Sequence, residues 1–151
     1  MSPQPFVLSV MQAEQIRPCA DIFTAVFTGP PWNNPNVTTE KAVRYLRDLM
    51  RTPGFLGFVY ARGEDIVGMV LGTISDYFFD PQYKIEELAV DPACHRQGLG
   101  SKMLLETEQY LAERDVTHMI LQTSATIPAY DFYRRNGYAV VEDTVCMMKG
   151  L

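Results

Sequence analysis

A mixed α/β fold is predicted for this chain of 151 residues. Its centre is a mostly antiparallel mixed sheet of about seven strands with a βαβ core, flanked by about four helices. Three observations predict it. First, β-rich runs at Phe55–Ala61 and Ile66–Asp76 are joined by Arg62-Gly63-Glu64-Asp65, a hairpin turn that pairs them antiparallel. Second, residues 84–121 read in order as strand, glycine turn, helix and strand, which is a βαβ unit. Third, neither an internal repeat nor a linker divides residues 1–151, and the length suits one domain with its own core.

The elements follow in chain order. Phe6-Val7-Leu8-Ser9-Val10 reads as a short first strand. Pro18 to Phe27 reads as a helix with Pro18 in its first turn, where a missing N–H costs nothing, and Gly29-Pro30-Pro31 ends it. The loop Trp32-Asn33-Asn34-Pro35-Asn36 carries the chain's single tryptophan. Thr38 or Thr39 then caps a helix to about Met50, with Val43, Leu46 and Met50 as its apolar stripe. After the hairpin, Tyr77-Phe78-Phe79-Asp80-Pro81 breaks the pattern, Lys84–Val90 resumes it as a strand, and Asp91-Pro92 terminates that strand. Met103, Leu104, Tyr110 and Leu111 recur at helical spacing between Gly98 and about Glu113, and Thr117–Leu121 reads as a buried strand. Pro128–Arg135 is a further helix, stopped by Asn136-Gly137. Tyr138–Val141 and Thr144–Met148 read as two closing strands.

Composition excludes several classes of function. Hydrophobic residues make up 47% and charged residues 21%, near globular averages, so a disordered chain is not expected. Phe55–Ala61 and Ile66–Leu71 are far shorter than the ~20 apolar residues of a membrane span. Met1 to Gln12 lacks the basic start and apolar run of a secretory signal, so a cytoplasmic location without membrane partners is expected. Cys19, Cys94 and Cys146 have no CxxC spacing and are expected as separate reduced thiols. His95 and His118 are isolated, so no metal is expected. A net charge of −5 argues against a nucleic-acid partner and suits a cationic acceptor.

The most informative segment is His95-Arg96-Gln97-Gly98-Leu99-Gly100-Ser101, between a strand and a helix. Free N–H groups and the helix dipole make such a turn an anion site, and glycines let the backbone approach a phosphate. A dinucleotide fingerprint would need a third glycine where Met103 stands, and a Walker loop would need its lysine before the Ser/Thr, whereas Lys102 follows Ser101.

The segment resembles the pyrophosphate loop of the GNAT superfamily of N-acetyltransferases, [QR]-x-x-G-x-[GA] after a strand ending L-x-V-x-P. Leu88-Ala89-Val90-Asp91-Pro92 supplies the strand end, Gly98 and Gly100 fall on the two glycines, and His95 takes the Gln/Arg position. Pro128-Ala129-Tyr130-Asp131-Phe132-Tyr133-Arg134-Arg135-Asn136-Gly137-Tyr138 is similar to the family's P-A-x-x-F-Y-x-x-x-G-F segment, with Thr126 where an asparagine is common. The resemblance implies a GNAT-like domain over residues 1–151 that moves acetyl from acetyl-CoA to a primary amine.

In that reading the amides of Arg96, Gln97, Gly98, Leu99, Gly100 and Ser101, beside His95, hold the pyrophosphate. Leu88, Ala89 and Val90 pair with the pantetheine arm and offer an N–H to the thioester carbonyl. Thr126 and Tyr133 complete the cofactor side. A phenol stays protonated near neutral pH, so Tyr133, at the family's acid position, can donate to the leaving thiolate. A carboxylate can take the ammonium proton; strand alternation puts Glu86 on one face with Leu88 and Val90, the face where the resemblance implies a base in some members, so Glu86 is the preferred base with Glu87 in reserve. Trp32, Asn33, Tyr77 and Phe78, with Asn34, Asp76, Phe79 and Asp80 nearby, are candidates for the acceptor pocket. The implied acceptor is a small-molecule amine, polyamine-like, aminoglycoside-like or an amino-acid derivative. A protein N-terminus or lysine, a non-catalytic acyl-CoA sensor and a nucleotide-binding loop are the alternatives. The resemblance also implies that the closing strands can pair across a homodimer.

Overall fold

The structure, a computed structural model, describes residues 3–77 and 80–151, with Tyr77 described by its backbone alone. Its sheet has five strands in the order β1-β2-β3-β4-β5. These are β1 (Val7–Val10), β2 (Phe55–Arg62), β3 (Asp65–Tyr77), β4 (Asp80–Val90) and β5 (His118–Leu121). The first three pairings are antiparallel and β4–β5 is parallel, as the βαβ pattern requires. Helices α1 (Ile16–Thr28) and α2 (Thr39–Met50) cover one face, α3 (Leu99–Ala112) covers the other, and α4 (Pro128–Arg135) packs beside α3.

Local chemistry accounts for the helix limits. The Thr38 hydroxyl accepts from the Lys41 N–H at 3.3 Å, capping α2 as its sequence foretells. Ala42 and Leu46, one turn apart, are buried and fix α2 to the sheet. Pro18 is the third residue of α1 and Pro128 the first of α4, positions that need no intrahelical N–H bond. The α1–α2 core also holds Cys19, Met69, Leu71 and Ala89, whereas Phe58, Val70, Tyr83, Met103 and Leu104 fill the core under α3. All three cysteines are free, and burial pushes the Cys19 thiol up to about 12, which keeps it unreactive.

Two expectations are corrected. The sheet has five strands rather than about seven, because neither Tyr138–Val141 nor Thr144–Met148 is paired as a strand. A β-like run marks residues suited to a half-buried pleat, but a strand exists only where a neighbouring edge takes its N–H and C=O groups. Among the described residues no edge does so, and Val145, Met147 and Met148 stand 75–95% exposed. The second correction concerns β4, which begins at Asp80 and runs through Pro81, where the residue pattern indicates a break. The Pro81 carbonyl accepts from the N–H and the hydroxyl of Thr117, so the proline's missing donor does not stop the ladder. Phe78 and Phe79, between the two long strands, lie outside the described residues.

The register between β3 and β4 slips once. Leu71 pairs with Glu87 and Gly72 with Ile85, which leaves Glu86 as the extra residue of a β-bulge. A Cβ at Gly72 would collide with the Lys84 carbonyl oxygen and come within 2.6 Å of the Tyr83 ring. Tyr83 cannot yield, being fully buried with its hydroxyl donating to the Leu56 carbonyl at 2.6 Å. Gly72→Ala is therefore expected to cost about 2 kcal/mol of stability, or roughly 4–8 °C in Tm for a chain of this size, read by thermal denaturation.

Candidate active site

Strand β4 pairs with β5 only from Gln82 to Ile85, while its pairing with β3 continues to Val90. Beyond Ile85 the two parallel strands part, and the outer edge of Glu86–Val90 has no strand beside it. A cleft of about 410 Å³ opens there, within the size range of small-molecule sites. Leu88, Ala89 and Val90 form one wall, and Pro128, Ala129, Phe132 and Tyr133 of α4 form the other.

The glycine turn closes the end of the cleft. Gly98 is the residue before α3 and is left-handed, with φ of 70°, a conformation that favours glycine. No side chain caps α3, and its ladder starts with the Lys102 N–H donating to the Gly98 carbonyl. The amides of Leu99, Gly100 and Ser101 thus precede the first intrahelical bond, at the positive end of the helix dipole. His95 Nε2 lies 2.8 Å from the Val90 carbonyl oxygen, so a hydrogen on that nitrogen ties the turn back to the strand end. Asn136 at the end of α4 donates to the Ser101 hydroxyl at 3.1 Å and to the Phe132 carbonyl at 2.8 Å, locking α4 against the start of α3. A Cβ at Gly100 would sit 3.3 Å from the Phe132 ring, so the two helices meet here because this position is bare.

The lining is cationic. Arg96 and Arg135 line the cleft, with His95 beside them, and among the described residues no carboxylate does, in a chain whose net charge is −5. That distribution, with the free amides, suits a multiply charged anion such as a pyrophosphate.

Beside the cleft stand a carboxylate and two phenols. The bulge at Glu86 breaks the strand alternation, so Glu87 shares a face with Ala89 and, across the ladder, with Leu71, toward α1 and α2. Glu87 accepts a hydrogen bond from the Tyr45 hydroxyl of α2 at 2.8 Å. Burial raises its carboxyl from the ordinary 4.5 to about 7, with the Tyr45 bond opposing and the Glu86 charge reinforcing the rise. Tyr133 is pushed well above the usual phenol range, first by burial and then by the Glu87 charge. Glu87 and Tyr133 are thus electrostatic neighbours, one poised to titrate near neutrality and the other holding its proton. Glu86 instead lies 3.5 Å from the Lys84 ammonium, in a part-exposed pair.

Most of the residues singled out from the sequence converge on this cleft: the strand end, His95, Arg96, Gly98 to Ser101 and Tyr133 all line it. Gln97 and Thr126 do not; the Thr126 hydroxyl sits 3.0 Å from the Ser124 hydroxyl on the turn before α4. Trp32 is 41% exposed on the α1–α2 loop, its ring 5.1 Å from Phe27, and Asn33 donates its N–H to the Gly29 carbonyl at 2.8 Å. Of the remaining acceptor candidates, Tyr77 has only its backbone described and Phe78 lies outside the described residues. Sequence reasoning missed Arg135 and Tyr45. Arg135 sits inside the motif that pointed to Tyr133, whereas nothing local to α2 marks Tyr45, whose partner is 42 residues away.

Among the described residues no three His, Cys, Asp or Glu side chains gather as a metal site, and no helix is long and apolar enough to cross a membrane. The fold is similar to an aminoglycoside acetyltransferase from an uncultured soil metagenomic sample, solved with sisomicin (TM-score 0.74, 23% identity, covering 97% of this chain and 96% of that one). It is also similar to a possible acetyltransferase of Clostridium difficile 630 (TM-score 0.81, 10% identity, 97% and 98% covered). A third similar structure is AAC(6')-Iy in complex with the bisubstrate analogue CoA-S-monomethyl-acetylneamine (TM-score 0.74, 10% identity, 97% and 99% covered). No curated protein matches the sequence. The family model described as Acetyltransferase (GNAT) family matches residues 19–138, most of the chain, and the protein with this cleft therefore belongs to the GNAT family of acetyltransferases.

Proposed function

We propose that the protein moves an acetyl group from acetyl-CoA to the primary amine of a small molecule, by direct attack within the β4–α4 cleft. The observation that carries this reading is the joining of a cationic, carboxylate-free cleft to a half-buried carboxylate and a protonated phenol at its side. The residues fit the donor: amides 99–101 with Arg96 and Arg135 suit its pyrophosphate, and the open edge of β4 suits its amide-bearing arm. Bound there, acetyl-CoA supplies a thioester carbon for attack and a thiolate leaving group.

The chain's own groups supply the rest. A main-chain N–H at Leu88 to Val90 faces the carbonyl oxygen and favours its developing negative charge. Glu87, directly or through a water, takes a proton from the acceptor ammonium so that the neutral amine can attack, and Tyr133 gives a proton to the departing sulfur. Glu87 is preferred to Glu86 because the bulge turns it toward α2, its pKa lies near neutrality and its charge reaches Tyr133. Similar folds solved with an aminoglycoside and with a CoA–aminoglycoside analogue support a small-molecule acceptor. The exposed apolar C-terminal run and the outer edge of β5 support the homodimer that the family resemblance implies.

Three outcomes are expected. Isothermal titration gives saturable acetyl-CoA binding, and Gly100→Val, whose side chain meets Phe132, weakens it at least about tenfold, some 1.4 kcal/mol; equal binding by the variant would remove the glycine turn from the site. Against a panel of polyamines, aminoglycosides and amino-acid derivatives, thiol release depends on Tyr133. Tyr133→Phe lowers kcat about a hundredfold while acetyl-CoA affinity stays within threefold. Glu87 must lose its proton to act, and its pKa is raised to about 7, so the rate climbs as pH rises through that value. Glu87→Gln should abolish this limb and lower kcat about a hundredfold or more; a limb that persists would exclude Glu87 as the base.

A further inference from the structure

The geometry points to Tyr45 as a positioning residue that aims the Glu87 carboxylate at the acceptor amine, an inference that rests on Glu87 being the base. The Tyr45 hydroxyl donates to Glu87 Oε1 at 2.8 Å, and among the described residues it is the one hydrogen-bond donor that Glu87 has. Holding Oε1 fixes the plane of the carboxylate and leaves Oε2 to take a proton. An ionised carboxylate only accepts hydrogen bonds, so the phenol must be the donor.

Tyr45 is itself held in place. Its neighbour Leu46 is fully buried, Ala42 one turn before is buried, and the Thr38 cap fixes the start of the helix. Its ring packs 5.6 Å from Phe23 of α1, which lies 4.5 Å from Phe27. The hydroxyl is thus carried to the bulge of β4 by the packing of α1 and α2 on the sheet, and among the described residues these helices have no other hydrogen bond to the Glu87 side chain.

The groups facing Glu87 make this single bond matter. Glu86 on the same strand adds a like charge, and its own partner is Lys84. Tyr133 on α4 feels the Glu87 charge but makes no hydrogen bond to it among the described residues. Leu71 across the ladder is apolar. Without the Tyr45 hydroxyl a half-buried carboxylate would face a like charge with no side-chain donor to offset it, and its protonated form would gain.

The test compares pH–rate profiles of the wild type, Tyr45→Phe and Glu87→Gln with saturating acetyl-CoA and the best amine of the panel. Tyr45→Phe keeps the ring packing and removes the hydroxyl alone. The expected result is an inflection about one pH unit higher, so that the rate a unit below the wild-type inflection falls at least roughly tenfold, together with an alkaline plateau lowered about threefold by the unaimed carboxylate, while the KM for acetyl-CoA stays within about twofold. Carboxyl-carbon NMR titration of selectively labelled glutamate, assigned with Glu87→Gln, should move by the same amount and reads the pair without turnover. If Tyr45→Phe leaves both inflections in place while Glu87→Gln abolishes the limb, Tyr45 is only a packing residue and the inference is overturned. If Glu87→Gln keeps the limb, the base assignment itself fails, and the Tyr45 inference with it.

Discussion

A parallel pair of strands needs a crossover between them, and here α3 provides it, leaving β4 at its C-terminal end and returning the chain to β5. Because β5 has only four residues, all paired with the first half of β4, the second half of β4 projects past it with one edge unfilled. The cleft depends on that mismatch. An unfilled strand edge, the uncapped start of α3 and the side of α4 meet at one place because each adjoins the end of β4. Had β5 run four residues further, its main chain would occupy the edge that the proposed donor requires.

The bulge on the same strand decides which chemistry borders the cleft. One inserted residue reverses the facing of everything after it. Tyr83 and Ile85 serve the α3 core, yet Glu87 and Ala89 turn to the α1–α2 side, while Leu88 and Val90 take over toward α3. The extra residue is accommodated where Gly72 leaves room for the Lys84 carbonyl and the Tyr83 ring. A side chain's absence on β3 therefore contributes to placing a carboxylate on β4 beside Tyr45.

Charge is distributed against the average. The chain is acidic, with a net charge of −5, but the cleft presents His95, Arg96 and Arg135. A global negative charge disfavours polyanions at long range, whereas free amides and two arginine side chains at short range favour a compact one. Glu87 faces the α1–α2 side of β4, where the proposed ammonium would arrive. The two substrates of an acetyl transfer, one anionic and one cationic, would thus meet oppositely charged environments across a single strand.

Features whose causes are local were legible in the sequence. The α2 cap at Thr38, the α4 span and the loop glycines depend on hydrogen bonds and backbone preferences within a few residues, and all lie where the residues indicate. The cofactor side of the site was legible for the same reason, since strand end, turn and helix start are contiguous in the chain. What only the tertiary structure decided depends on partners far apart. The bulge at Glu86 exists relative to β3, so alternation along β4 alone could not show which face Glu87 takes. Tyr45 meets Glu87 only because α1 and α2 pack against that face. The closing runs at Tyr138–Val141 and Thr144–Met148 have a β-like composition but no edge in their own chain. Composition records what a segment prefers, and hydrogen-bond partners, which composition does not contain, determine whether it becomes a strand.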